Sequence, residues 1–310
     1  MKFLWLPDHA DSLRRALAFV IPSRVSGLEH IYDWQYEHSW KRITAAMPAP
    51  KIVAIMPAYN ASRTLEQTVH EIPAGSIDEC IVVDDVSADS TVEIARKLGL
   101  RVFLHRENQG YGGNQKTCYV EAIKTGADIV VMLHPDYQYD PKKIPDLVRP
   151  IVEDRADLVL GSRMAYAVAG GMPFYKRISN RFLTWCENKV FGLQLSEYHT
   201  GFRAFRRSLL QTTPFLVNSN DFIFDQEIVA QAVWFGARID EISVPHRYFP
   251  EASTIGLGRS IRYGLGILLL LAKFVLSRKG IIQSRLFRPL HHAYSEVLSD
   301  PAAARPATKT

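Results

Sequence analysis

Three cysteines, Cys80, Cys118 and Cys186, are all that the 310-residue chain contains, and no two stand at CxxC spacing. That excludes a disulfide-stapled scaffold and a cysteine zinc site, and it suits a reducing compartment. Long apolar runs are also missing. The C-terminal run Gly264 to Ala272 falls short of the roughly 20 residues that a spanning helix needs. The N-terminus "MKFLWLPDHADSLRR" breaks its apolar stretch at Pro7 and Asp8, too early for a signal peptide, so secretion is not expected. No solenoid repeat is present, and no motif or basic-aromatic interleaving points to nucleic acid. Acidic residues are absent from residues 259 to 289, which carry Arg259, Arg262, Lys273, Arg278, Lys279, Arg285 and Arg288.

What is present is enough apolar residue, 47%, for a substantial core, and a surplus of five positive charges that favours an anionic partner. From residue 51 short apolar runs alternate with helical patterns. "IVAIM" (52–56), "IVV" (81–83), "VFL" (102–104), "IVVML" (129–133) and "LVL" (158–160) read as buried, mostly parallel strands, and "RIDEISVPHRYF" (238–249) as another. Leu65, Val69 and Ile72 mark one helix. Ser90 and Glu93 form a capping box for a second that ends at Gly99, and a third follows Pro141 with Ile144, Leu147, Val148 and Ile151 as its stripe. Repeated βα units predict a doubly wound α/β sheet. The domain reading is a helical N-terminal extension (1–50), an α/β domain (51–255), a basic amphipathic segment (256–298) and a disordered tail (299–310).

Candidate chemistry collects where strands end, the edge at which open α/β sheets bind ligands. "PAYN", Pro57 to Asn60, lies between a strand and a helix and suits a nucleotide or an ordinary turn. In "VDDVSADST", Asp84 and Asp85 offer carboxylates to a base or ribose, or one of them caps a helix. "GYGGNQKT" (110–117) is not a P-loop, since Gln115 replaces the second Gly. Its glycines, with Asn108 and Tyr111, are expected to let backbone approach a diphosphate or sugar. In "VVMLHPDYQYDP" (130–141), His134, Asp136 and Gln138 alternate, so an extended backbone puts them on one side as a site for Mg²⁺ or Mn²⁺. Asp140 reads as a cap for the Pro141 helix. Asp225 and Glu227 offer a base or simply begin a helix.

The ordered set "PAYN", "VDDVSADST", "ENQGYGGNQKT", "ADIVVMLHPDYQYDP", "DLVLGSRM", "YHTGFRAFRR" and "PHRYFPEAST" resembles family 2 glycosyltransferases of GT-A fold. The likeness is strongest to the branch of dolichol-phosphate mannose synthase and bacterial polyprenyl-phosphate sugar transferases, and it covers about residues 51 to 265. The resemblance implies an inverting transfer from a UDP- or GDP-sugar, assisted by a divalent cation held at an Asp-x-Asp motif followed by Gln. Asp136 matches the second Asp and Gln138 the Gln. His134 replaces the first Asp, as a metal ligand or a donor contact. It further implies Pro57, Ala58, Tyr59, Asn60, Asp84 and Asp85 around the nucleoside, with Asn108, Gly110, Tyr111 and Gly112 nearby. Arg163 and Arg203 join Asp136 as catalytic candidates, either of these arginines being alternatively a structural ion-pair partner. Arg247 is a similar case, and Lys176 and Arg177 match the acceptor-phosphate region loosely.

The acceptor expected from this resemblance is a polyprenyl or dolichyl phosphate, which is ionised near neutrality and needs no base. The alternatives are a saccharide hydroxyl, or a non-catalytic role in binding sugar nucleotides. The basic C-terminal segment reads as an interfacial helix on the cytosolic face of a membrane, or as a core or dimer-interface helix. A homo-oligomer or an integral-membrane partner is compatible with it.

Overall fold

The structure, a computed structural model, describes residues 49–247 and 257–289. The expected N-terminal arm lies outside these residues except for its last two, and the expected tail and the "PEAST" end of the last motif lie outside them entirely.

Among the described residues, fifteen strands and α-helices follow in chain order: β1 (Ile52–Ala58), α1 (Leu65–His70), β2 (Glu79–Asp84), α2 (Thr91–Lys97), β3 (Arg101–Leu104), α3 (Gly110–Lys124), β4 (Ile129–Met132), α4 (Ile144–Val152), β5 (Leu158–Ser162), α5 (Phe174–Phe191), β6 (Arg203–Arg206), α6 (Arg207–Thr212), α7 (Phe224–Trp234), β7 (Ile239–Ser243) and α8 (Leu257–Arg278). The strands form one seven-stranded sheet in the order β3-β2-β1-β4-β6-β5-β7. Every pairing is parallel except those of β6, which runs antiparallel between β4 and β5. The expected apolar runs all fall within or overlap strands. β6 was not expected.

Alternation along the strands divides the core into two layers. Ile55, Val83, Val130, Leu160 and Phe205 face one side with α3 and α7, while Met56, Val82, Val131, Val159 and Ala204 face the other with α1 and α4. Both faces are therefore covered, which is why the strands are apolar throughout. Residues at helix starts depart in part from expectation. Ser90 precedes α2 but its side chain makes no capping bond. Asp89 accepts from Thr91 N instead, at 3.1 Å. Asp140 accepts from Lys142 N at 3.1 Å, the cap expected of it.

Helix α8 runs well beyond the apolar run counted in the sequence, and Ser260–Arg278 is long and apolar enough to cross a membrane by length and composition. One face is seated on the domain. Ile267, Leu270, Leu271 and Phe274, at i, i+3, i+4 and i+7, are buried, the last beside Trp234 of α7 and Phe287. The Tyr263 hydroxyl receives Gln226 Nε2 at 2.8 Å and ties α8 to α7. The opposite face leaves Ile261, Leu265 and Leu269 more than half exposed, and neighbouring α5 does the same with Phe174, Ile178, Phe182 and Trp185.

Candidate functional site

The carboxyl ends of β1, β2, β4 and β5 share one edge of the sheet because those strands run the same way. Pro57 and Ala58 close β1, followed by exposed Tyr59 and by Asn60 at φ +52°. Asn60 clasps the next loop, donating its backbone N–H to Ser87 Oγ at 2.8 Å and accepting from Ala88 N at 2.9 Å. Beside them Asp84 is buried. Its Oδ2 accepts from Ser87 N at 2.9 Å, and its Oδ1 has no hydrogen-bond partner among the described residues. Asn114 of α3 donates Nδ2 to the Ala58 and Val83 carbonyls, and its Oδ1 is likewise buried and unsatisfied. Two orphaned acceptors at a strand edge suit a ligand's N–H or O–H groups, because a buried oxygen without a donor is costly.

Asp85 has a different place. Its carboxylate accepts from Gln109 N (2.7 Å) and Gly110 N (3.0 Å) and pairs with His105 Nδ1 (2.7 Å), whose Nε2 reaches Thr117 Oγ1 at 2.9 Å. It caps the start of α3. Asn108 also belongs to this turn, through Asp85 O and Gly110 N. The glycines meet a neighbouring loop. Gly112 N donates to Asn220 O at 2.8 Å, and a Cβ on Gly112 would strike Ser219 O and Phe224 Cβ. The small residues let the 219–220 loop lie against α3.

Tyr111 links two parts of the site. Its hydroxyl donates to Asp225 Oδ2 at 2.7 Å and lies 3.1 Å from His134 Nε2, while its ring stacks on that of His134. Burial first, and then the neighbouring Asp225 charge, push the Tyr111 phenol well above its ordinary range. His134, Asp136 and Gln138 line one cavity of about 160 Å³ together with Tyr111, His199 and Asp225. The reason is not continued strand alternation. β4 stops at Met132 and the chain turns, with Tyr137 at φ +58°. Among the described residues no three His, Cys, Asp or Glu side chains converge to hold an ion alone. The donor set of an imidazole, a carboxylate and an amide fits a cation that takes the rest of its shell from a bound diphosphate.

Arg163 follows β5 onto the same edge. Glu197, completely buried, accepts from Arg163 N (2.6 Å), Nε (3.0 Å) and Nη2, and from Asn180 Nδ2 (2.8 Å). Burial raises the Glu197 carboxyl, but the Arg163 guanidinium outweighs it and holds the group below the ordinary carboxylate range. Arg203, a catalytic candidate from the sequence, is 1% exposed and gives Nε to Thr200 O (2.7 Å), Nη1 to Asp225 O (2.7 Å) and Nη2 to Tyr198 O (3.2 Å), the contacts of a residue that fixes loops. Glu227 accepts from Ser219 N at 2.6 Å, and burial raises its carboxyl. Glu197, Asn114 and His199 escaped the sequence reading, since their importance depends on partners distant in the chain.

A second cavity, about 450 Å³, adjoins the first and shares Gln138, His199 and Tyr263 with it. Arg163 and Lys176 supply its positive charge. Phe182 and Leu183 of α5 and Ile261, Leu265 and Leu268 of α8 supply apolar walls. Burial, then the nearby Arg163 charge, lower the Lys176 ammonium below its ordinary range.

The family model for "Glycosyl transferase family 2" matches residues 53–213. The UDP-N-acetylglucosamine–dolichyl-phosphate N-acetylglucosaminyltransferase of Methanococcus voltae is 29% identical over 178 residues, which cover 52% of this chain and 71% of that protein. The dolichyl-phosphate hexose transferase of Haloferax volcanii is 28% identical over 220 residues, covering 68% of this chain and 92% of its own. Glucosyl-3-phosphoglycerate synthase from Mycobacterium tuberculosis, solved in complex with Mn²⁺ and uridine-diphosphate-glucose, shares the fold with a TM-score of 0.56 at 20% identity, over 79% of this chain and 84% of that one.

Proposed function

The chain belongs to glycosyl transferase family 2 and is a glycosyltransferase of GT-A fold, and on that premise we propose that it transfers a hexose, with inversion, from a UDP- or GDP-sugar to a polyprenyl or dolichyl phosphate. The observation that carries this reading is the second cavity. It joins two cationic side chains to apolar walls from two helices, the complement of an anionic head on a hydrocarbon tail. The two dolichyl-phosphate transferases among the relatives support the same acceptor class.

In this reading Pro57, Ala58, Tyr59, Asn60 and Asp84 hold the nucleoside, with Asp84 Oδ1 and Asn114 Oδ1 accepting from the base or ribose. Asp136, Gln138 and His134 would hold a divalent cation, which would supply charge neutralisation to the departing nucleoside diphosphate. Arg163, fixed by Glu197, and Lys176 orient the acceptor phosphate beside the donor. A phosphate nucleophile needs no base. Consistent with that, Glu227 is occupied by Ser219 N, and Asp225 already accepts from Tyr111 and from Gln115 Nε2 at 3.0 Å. Positioning is then the main source of rate.

The exposed apolar faces of α5 and α8, with the basic residues around them, support association with a membrane surface, and we assign the enzyme to its cytosolic face. Its unpaired cysteines suit that compartment. The test is Lys176→Ala, assayed with a short polyprenyl phosphate. The KM for the lipid should rise about 10-fold or more, as expected for a lost charge-assisted contact, with the donor KM unmoved. An unchanged lipid KM would remove Lys176 and this cavity from acceptor binding.

A further inference from the structure

His134 stands where the family motif has a carboxylate, and its ring is fixed in one orientation. Nε2 lies 3.1 Å from the Tyr111 hydroxyl, and a Cβ on Gly201 would fall 2.5 Å from that same nitrogen, so a glycine is needed for the ring to sit as it does. Tyr111 has one proton to donate, and Asp225 Oδ2 receives it at 2.7 Å. Asp225 is held in turn by Gln115 Nε2 at 3.0 Å and by Arg203, whose Nη1 is 3.5 Å from Oδ1. A carboxylate oxygen accepts, so the phenol hydrogen lies between Tyr111 and Asp225.

With that proton committed, the Tyr111 oxygen has only lone pairs to offer His134. Nε2 must therefore carry the hydrogen, and a neutral imidazole protonated there presents its lone pair at Nδ1. Among the described residues the ring's only hydrogen bond is the one through Nε2, and the ring lines the cavity that Asp136 and Gln138 also line.

Resting on the glycosyltransferase reading, the geometry points to Asp225 and Tyr111 as positioning residues that fix the tautomer of His134 and make Nδ1 a ligand for the divalent cation bound with the donor diphosphate. This is an outer-shell arrangement of the kind that orients metal-binding histidines. It also has a consequence for selectivity. A neutral nitrogen replaces an anionic oxygen, which removes one negative charge from the site and favours a first-row transition ion such as Mn²⁺ over Mg²⁺, whose preference is for oxygen.

The experiment is pulsed EPR on the full-length protein with Mn²⁺ and either UDP or GDP as the probe nucleotide. Wild type should show ¹⁴N coupling to the nucleotide-bound Mn²⁺. His134→Asp should bind Mn²⁺ without that coupling and should need about 10-fold less Mg²⁺ to displace it, an imidazole-to-carboxylate exchange. Tyr111→Phe should weaken Mn²⁺ binding by about 10- to 100-fold, as outer-shell losses do. In metal-free protein with ¹⁵N-labelled histidine, the His134 signal should show hydrogen on Nε2 in wild type and a mixture of tautomers in Tyr111→Phe, a readout that survives if His134→Asp does not fold. Bound Mn²⁺ lacking ¹⁴N coupling in wild type, coupling that persists in His134→Asp, or an unmoved tautomer in Tyr111→Phe would each overturn the inference. Absence of any nucleotide-dependent Mn²⁺ binding would overturn it too. Sugar transfer by the same preparation decides separately whether the enzymatic reading stands.

Discussion

Arg163 and Glu197 form the tightest polar contact of the site: one buried carboxylate takes the backbone N–H, Nε and Nη2 of a single arginine. The arginine is thereby held at the junction of the sheet edge and the apolar groove. Its guanidinium also reaches the His199 carbonyl at 2.5 Å, so the loop that leads into β6 is tied to the same pair.

Removing the carboxylate leaves a desolvated guanidinium without its counter-charge. Glu197→Ala is expected to lower unfolding free energy by about 3–5 kcal/mol, the range for breaking a buried pair. Urea unfolding followed by circular dichroism measures it. A loss below about 1 kcal/mol would place the pair in the class of surface ion pairs.

Arg203 should behave as a structural residue. Arg203→Met keeps the volume but abandons three carbonyls, so the midpoint of thermal unfolding should fall by several degrees, in line with a cost of about 1–3 kcal/mol per unsatisfied buried group. Normal stability with loss of turnover would instead restore Arg203 to the catalytic group.

Asp84 is the sharpest nucleotide prediction because Oδ1 lacks a donor among the described residues. Asp84→Asn should weaken binding of UDP or GDP by about 10- to 100-fold in calorimetry, the value of a hydrogen bond to a charged group. Asp85→Asn should act differently, loosening α3 and lowering stability, since Asp85 caps that helix.

His246 gives stability a dependence on pH. It is buried against Gly170, and burial, together with the Arg163 charge, lowers its pKa to about 4. The unfolded chain binds that proton near the ordinary value while the folded chain refuses it. Stability from this group is therefore complete above about pH 6.5, declines as pH falls, and changes no further below about pH 4. Denaturant midpoints across that window should slope by close to one proton in wild type and less in His246→Gln.

Much of the fold was legible because its strands are buried on both faces and therefore apolar from end to end. "IVAIM" and "IVVML" needed no partner to be recognised. β6 was hidden because "RAFR" begins and ends in arginine, and Arg203 is tolerable in the interior only through carbonyls supplied by Tyr198, Thr200 and Asp225. The edge that gathers Asp84, His134 and Asp136 followed from parallel strands. The roles of Asp85 and Gly112 did not, since one is set by the turn at 109–110 and the other by a loop more than a hundred residues away. Length of α8 was underestimated because residues flanking its apolar run continue the helix.

The most direct measurement is sugar transfer by the purified, lipid-reconstituted enzyme from UDP- and GDP-sugars, with Mn²⁺ or Mg²⁺, to a short polyprenyl phosphate and to the matching polyprenol. The expected result is a glycosyl phosphoprenyl product from one nucleotide class, none from the polyprenol, and none with Asp136→Asn. Transfer to a hydroxyl with the lipid phosphate inert, or donor binding without any product, would contradict it.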